Sequence, residues 1–339
     1  MFSPRAKGPG RGATALVALF VDGMIGEPPA RIHPVVWIGR AASALERLAP
    51  AGPTVRLAYG AVLTGLVVGG AGLFGLLAAR LASRLPWPFS LLLEGWLLKT
   101  TLSARALLEA GKTVETHLDD RDLTGAREAV RSLVSRDPSA LDEPLLAAAT
   151  IESLAENTAD SIVGPLLAYQ VGGLPGAFAY RAANTLDAMI GYRGAEYEHL
   201  GKVAARLDDV LNIVPARLTS ALLFLGGAVA GGHLKSGVTM TLRDHGQTAS
   251  PNAGWPMSTM AGLLGTRLEK SGQYRLGAEL PPADVPAIDQ AVEIVRAAAL
   301  FSLPVTFGVG WLVRRMCAVA GRALSRRASP PAFDTVRPA

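Results

Sequence analysis

From Leu57 to Ala82 the chain reads LAYGAVLTGLVVGGAGLFGLLAARLA, with no charge before Arg80. A helix needs about 20 predominantly apolar residues to cross a bilayer, and this run exceeds that. Gly69, Gly70, Gly72 and Gly75 suit close packing against another helix. Arg80 and Arg84 mark its end, as cations do at a membrane boundary. A chain with such a run must arrange its other segments around a bilayer. Composition agrees: 50% of residues are hydrophobic and only 18% are charged, against about 25% in soluble proteins. The mean hydropathy is +0.29. The net charge of +5 fits Lys and Arg flanking membrane spans. No basic stripe is interleaved with aromatics, which speaks against nucleic acid as a partner. The only cysteine is Cys317, so intramolecular disulfides and cysteine-based metal clusters are excluded.

Other segments are read in the same way. Residues 1–12 form a basic, Gly-rich start expected to be disordered. Ala13 to Met24 follows as a short retained membrane segment, although ATALVALFV resembles a signal-peptide core. Pro28, Pro29 and Pro34 force an extended turn that carries Glu27, Arg31 and His33. Pro86 to Leu98 is apolar, but Glu94 and Pro88 make it too short and charged for a span. Thr101 to Arg136 has the pattern of amphipathic helices with polar outer faces. Ser139 and Asp142 start a helix expected to run through Glu152 into Ile162–Val171, where Gly172-Gly173-Leu174-Pro175-Gly176 breaks it. A second helix is expected from Ala177 to Tyr192, and a third around Arg206 to Asn212. Spans are expected at 13–24, 57–82, 213–232 and 297–313. A polar loop lies between the last two, and a mobile basic tail is expected over 318–339. No strand alternation is strong enough for a sheet. The fold class is therefore all-α: a polytopic integral membrane protein with four or five transmembrane helices, and amphipathic helices forming a membrane-adjacent site. Residues 13–317 make one membrane-embedded helical domain.

Chemistry concentrates between Ser139 and Arg217. Glu152, Glu156 and Asp160 follow at i, i+4 and i+8, so a helix places them on one face. Like charges at that spacing oppose each other by about 0.2–0.5 kcal/mol per pair. Such a face is either solvated or holds a cation. P-loop, dinucleotide-binding, zinc-histidine and G-x-S-x-G signatures are absent. What remains is a set of hard oxygen donors, Glu152, Glu156, Asp160, Asp208 and Asp209, of the kind that suits Mg²⁺. Asn157, Asn184 and Asn212 are candidate hydrogen-bonding groups for a polar substrate. Arg193, Arg206 and Arg217 are candidate holders of phosphate or carboxylate. Each has an ordinary structural alternative: Asp208 pairing with nearby arginines, Asp187 at a helix terminus, Asn184 as a core amide, Arg217 at the membrane boundary, Trp255 as an interfacial anchor. Polar groups beside lipid are costly and tend to be functional, which raises the group above its members.

With those residues in view, the chain resembles the CobD/CbiB family of cobalamin biosynthesis, adenosylcobinamide-phosphate synthase. The resemblance rests on Asp22 followed by GMIGEPPARIHPVVWIGR, on ESLAENTADSIVGP, NTLDAMIGYR and ARLDDVLNIVPAR, and on SPNAGWP, in the family's order between Asp22 and Gly265. One departure is Glu27 in GEPP, where the family pattern has Asp. The resemblance implies a multi-pass enzyme of the cytoplasmic membrane. It would be a ligase joining aminopropanol, or its O-phosphate, to the propionate carboxyl of adenosylcobyric acid, with ATP as co-substrate and Mg²⁺ as cofactor. Other corrinoid-pathway enzymes are candidate partners at the bilayer. The implied roles are Glu152, Glu156 and Asp160 on Mg²⁺-ATP, and Asp208 and Asp209 on a second metal or the amine. His33, Asn184, Asp187, Tyr192, Asn252 and Trp255 would line the substrate pocket. The rival reading is a non-enzymatic scaffold or sensor of the same architecture. A transporter fits less well, because no pair of broken, repeated helices stands out. One conflict follows from four spans: they put Ser83–Asn212 and His233–Arg296 on opposite sides, whereas ATP chemistry wants both motif blocks together.

Overall fold

The computed structural model describes residues 10–134, 136–192, 194 and 197–328. The first helix, α1 (Arg11–Ile25), leads through the proline turn into α2 (Pro34–Glu46). His33 caps α2: its Nδ1 accepts from the Val35 amide at 3.2 Å, and Pro34 takes the first turn, where its missing N–H costs nothing. The long apolar helix α3 (Pro53–Ala82) is followed by α4 (Trp87–Lys99), α5 (Ala104–Asp119) and α6 (Leu123–Val130). Asp142 then caps α7 (Glu143–Thr158), accepting from the Leu145 amide at 3.1 Å. A single π turn over Ala159–Val163 joins α7 to α8 (Gly164–Ile190). Next come α9 (Lys202–Leu211), α10 (Ile213–Val229), α11 (Leu234–Asp244) and α12 (Gly254–Leu264). A small antiparallel hairpin of β1 (Leu268–Lys270) and β2 (Tyr274–Leu276) precedes α13 (Val285–Ala328).

The element that positions everything else is a helical hairpin made from α7, the π turn and α8. Gly173 breaks α8 with φ 68° and ψ −159°, a backbone that residues with a Cβ rarely adopt. The two arms then run back along each other. Gly176 lies against the Ala168 backbone, Gly164 lies under the Tyr180 hydroxyl, and Asn184 Nδ2 donates to Asp160 Oδ2 at 3.0 Å. At Gly164 any side chain would collide with the Tyr180 ring. Asp160 and Asp187 therefore meet at the open end of the hairpin, and Gly173 marks its tip.

Neighbouring helices align with these two ends. Gly60 of α3 touches Leu200 near the open end, and Gly75 touches Leu174 and Pro175 near the tip. Arg11 of α1 donates to the Gln170 and Val171 carbonyls at 2.6 and 2.9 Å, beside the tip. At the other end of α1, Asp22 Oδ2 accepts from the Arg105 amide at 3.0 Å. The adjacent Ser103 amide donates to the Ser161 carbonyl at 3.1 Å.

Three described helical stretches are long and apolar enough to cross a bilayer: Pro53–Ala82, Glu143–Ile190 and Val285–Ala320. The pair α9 and α10, bent by 46°, raises the number to four if it counts as one span. Burial separates these stretches. The most apolar window of the hairpin is 61% buried, against 28% for α3 and 33% for α13. The hairpin is thus the core, while α3 and α13 turn leucines and valines outward.

The structure revises the sequence reading in several places. The spans expected at 57–82 and 297–313 fall inside α3 and α13. The one expected at 13–24 is α1, whose 15 residues are short of a full crossing and outside the three stretches. The one expected at 213–232 is the 17-residue α10, which qualifies only together with α9. The expected polar loop holds α11, α12 and a strand pair. The helix α13 continues to Ala328, past the expected start of a tail at 318. The start expected to be disordered overlaps α1 from Arg11. Residues 1–9 and 329–339 lie outside the described residues.

Candidate active site

At the open end of the hairpin a cavity of about 200 Å³ is bordered by Glu156, Asp160, Asp187, Asp208 and Asp209. Each arrives on a different piece of backbone. Glu156 ends α7, and Asp160 sits in the π turn, a distortion that often marks functional sites in helices. Asp187 closes α8, and Asp208 and Asp209 come from the last turn of α9. Amides hold these acids in place. Asn184 donates to Asp160 and accepts from Arg181 Nη1 at 3.2 Å. The buried Asn212 donates through Nδ2 to Asp208 Oδ2 at 3.0 Å and accepts from the Tyr180 hydroxyl. Asp208 Oδ1 is buried with no hydrogen-bond partner.

The far wall comes from the loop before α12. Ser250 Oγ accepts from the Asn252 and Ala253 amides at 3.2 and 3.4 Å, fixing a local turn. Asn252 Nδ2 then donates to the Asp209 carbonyl at 2.7 Å. Its Oδ1 accepts from Arg217 Nη1 at 3.2 Å. The Arg217 guanidinium lies 4.7 Å over the Trp255 ring, which itself lies 4.2 Å from the His245 ring. The SPNAGWP block and the ARLDD block therefore touch, and the expectation of opposite sides is corrected. The reason lies in α11. It folds back along α10, with Gly237 against Phe224, and so returns the chain to the mouth of α10.

A profile of the family described as CobD/Cbib protein matches residues 15–301. The chain belongs to the CobD/Cbib family. Among its relatives, the probable cobalamin biosynthesis protein CobD of Pyrococcus furiosus is 42% identical over 79% of this chain and 88% of its own length. The cobalamin biosynthesis protein CobD of Dehalococcoides mccartyi is 39% identical, covering 88% of this chain and 97% of its own. The probable cobalamin biosynthesis protein CobD of Methanocaldococcus jannaschii is also 39% identical, over 77% and 86%. No solved structure matches.

In this CobD/Cbib chain not every residue singled out from the sequence meets at one place. Glu152 and Asp160 are eight residues apart, about 12 Å along a helix axis, which is too far to share one ion. Glu152 instead borders a second cavity with Arg136, Lys270 and Tyr274, and Glu156 borders both. Among the described residues no three His, Cys, Asp or Glu side chains are grouped to hold a metal by themselves. The trio expected to ligate Mg²⁺ is thus split. Asn157 bonds back to Ser153 on its own helix at 2.9 and 3.0 Å. Tyr192 and the exposed Arg206 line a neighbouring cavity that shares Asp209, and Arg206 pairs with Asp209 at 3.3 Å. His33 lies in a separate clasp with Glu27 and Lys99. Arg193 lies outside the described residues.

Sequence reading missed Tyr180 and Arg181, although both sit in the YRAANTLDAM block beside Asn184. It also missed Arg136, Lys270 and Tyr274. Their signal was indirect: a helix face carrying three acids calls for cations from somewhere else in the chain.

Proposed function

We propose that the chain acts in cobalamin biosynthesis as an ATP-dependent ligase. It would join aminopropanol, or its O-phosphate, to the propionate carboxyl of adenosylcobyric acid. One observation carries this reading: the acid-lined cavity gathers carboxylates and amides from all four late motif blocks, and leaves Asp208 Oδ1 buried without a donor. Carboxylates that face one another without cations are a poor resting arrangement. They suit a site completed by a bound cation.

Hard carboxylate oxygens are the right donors for Mg²⁺, which takes one or two carboxylates and fills its shell with waters and substrate phosphates. A cluster of three protein ligands is therefore not required. Asp160 and Asp208 would hold the ion, with Asn184 and Asn212 fixing their rotamers. When bound, Mg²⁺ supplies charge neutralisation for the transferring phosphoryl group. An amide forms from a carboxylate only after the carboxylate is activated. The γ-phosphoryl group passes from ATP to the propionate oxygen, giving an acyl phosphate and ADP. The amine nitrogen then attacks the acyl carbon, the C–N bond forms, and phosphate leaves. Glu156, on the border of both cavities, is placed to take the proton that the ammonium must lose. Arg217, held over the Trp255 ring, offers a fork for a phosphate or a corrin carboxamide. Apolar helices around the site support a reaction carried out at a membrane, as expected of a multi-pass protein of the cell membrane.

The test uses detergent-purified protein with adenosylcobyric acid, ATP, Mg²⁺ and each amine, followed by mass spectrometry of the corrinoid. The expected product is heavier by the condensed amine, needs ATP, and is lost in Asp208→Asn. Corrinoid that stays unchanged with both amines, in protein that still binds it, would remove the ligase reading.

A further inference from the structure

The tip of the hairpin is electrically one-sided. No Asp or Glu occurs in residues 1–21, 47–93, 161–186 or 297–333, which supply the start of α1, the end of α3, the tip itself and the outer part of α13. Among the described residues at this end, α4 brings the acid Glu94, whose Oε2 accepts from the Tyr169 hydroxyl at 3.3 Å. Burial pushes the Glu94 carboxyl up, which weakens it as a counter-ion. Arginines gather here instead. Arg80 and Arg84 follow Gly75, which packs on Leu174 and Pro175. Arg11 and Arg314 both lie at Gln170. Arg11 Nη1 donates to its carbonyl at 2.6 Å, and a Cβ on Gly310 would meet the Gln170 side chain and, at 3.4 Å, Arg314 Nη1. Arg315 lies 5.0 Å over the Trp311 ring.

An arginine at a membrane boundary ordinarily extends its head into water. Arg80, Arg84 and Arg315 are exposed in that way. Arg314 turns inward: its Nη1 is buried with no hydrogen-bond partner. Beside it the Arg11 cation is disfavoured, first by burial and then by the Arg314 charge, and Glu94 offsets only part of this. Two half-buried guanidiniums at one residue call for an anion between them. The exposed Trp87 and Trp311 set this level as the boundary between lipid and water. Phe307 packs on Gly12 below the pair, is partly exposed, and shares a face of α13 with Arg314 seven residues on. Apolar surface therefore continues directly under the two charges. We propose that the tip face binds an anionic phospholipid, its phosphate held between Arg11 and Arg314 and its acyl chain along the α1–α13 seam. A zwitterionic headgroup brings an ammonium for which this end holds only the engaged Glu94, so a net negative headgroup is preferred. Planar guanidinium forks match phosphate oxygens in pairs.

Native mass spectrometry of the detergent-purified full chain tests this with three probes: phosphatidylglycerol, phosphatidylcholine of the same acyl chains, and glycerol 3-phosphate. Phosphatidylglycerol is expected to bind about tenfold tighter than phosphatidylcholine. In Arg314→Gln its affinity drops about tenfold, while that of phosphatidylcholine holds. Arg314→Lys keeps the charge without the fork and recovers part of the loss. Arg275→Gln removes one cation from the exposed side of β2 and leaves lipid binding unchanged. Arg314 Nη1 gives up no hydrogen bond, so these variants keep the fold, and unchanged unfolding midpoints in detergent report it. Equal affinity for the two lipids overturns the proposal, as does phosphatidylglycerol binding that survives Arg314→Gln. An equal loss in Arg275→Gln also overturns it, because overall charge rather than a site would then attract the lipid. Glycerol 3-phosphate binding as tightly as phosphatidylglycerol, and lost in Arg314→Gln, would make this a site for soluble phosphates and remove the lipid.

Discussion

Two acid clusters among the described residues are finished in opposite ways. In the clasp behind the proline turn, Glu27 Oε2 accepts from His33 Nε2 and from Lys99 Nζ, both at 2.9 Å, and Oε1 accepts from Ser103 Oγ at 3.0 Å. The fully buried Lys99 also lies 3.4 Å from Asp22. In the acid-lined cavity the chain supplies amides but few cations. Arg181 donates to Asn184, and Arg206 meets Asp209 from the exposed side. A cluster that the chain neutralises itself ties α1, α4 and α5 together. A cluster that the chain leaves unneutralised is where the proposed cation would bind.

The strongest way to break this comparison is to remove the cation from the clasp. Lys99→Met leaves the buried Asp22 without its cation and beside the part-exposed Glu27, and breaking a buried ion pair from one side costs about 3–5 kcal/mol. Chemical unfolding in detergent micelles should show that loss. Asp208→Asn is expected to act in the opposite way. Neutralising one of several like charges leaves stability equal or higher, while ATP-dependent product formation falls by about 100-fold or more. Were Asp208→Asn to destabilise as much as Lys99→Met, both clusters would be structural. A smaller effect sharpens the picture from the hairpin. In Gly164→Ala the new methyl meets the Tyr180 ring, whose hydroxyl supports Asn212. Overpacking of that kind costs about 1–3 kcal/mol, and unfolding and turnover should both register it.

How much of this was legible depended on whether the signal was local. The apolar run 57–82 and the break at Gly172–Gly176 follow from residue type alone, and both appear where expected. The acids of ESLAEN and ARLDD stood out because charges inside apolar helices are costly. Their sorting between two cavities was not legible. An i, i+4, i+8 spacing says which face three acids share, but not that the π turn carries Asp160 toward α8 while Glu152 stays beside the strand pair. Lys270 and Tyr274 sat in what read as a polar loop, since strands of three residues close only through contact with α7. Lys99 follows a plain apolar run, and nothing around it announces a partner 72 positions earlier at Glu27. The conflict over sides arose from treating α10 as a simple crossing. The return of α11 along it depends on glycine contacts that have no sequence period.

The weakest expected effect bears most directly on how the clasp is finished. Burial alone would raise the Glu27 carboxyl, but hydrogen bonds from His33, Lys99 and Ser103, with the Lys99 charge, outweigh it and hold the group at about 2 against an ordinary 4.5. A carboxylate with a depressed value in the folded state stabilises above its unfolded value, and that contribution fades as pH falls toward the folded one. The stability gap between the native chain and Glu27→Gln should therefore be constant above about pH 5 and shrink between about 4.5 and 2. Glu27 is one-third exposed, so the gap will be smaller than the shift alone suggests. Unfolding midpoints of the two proteins across that range supply the measurement. A gap that ignores pH would mean that Glu27 stabilises by packing and neutral hydrogen bonds rather than by charge, and the clasp would then lose its contrast with the cavity.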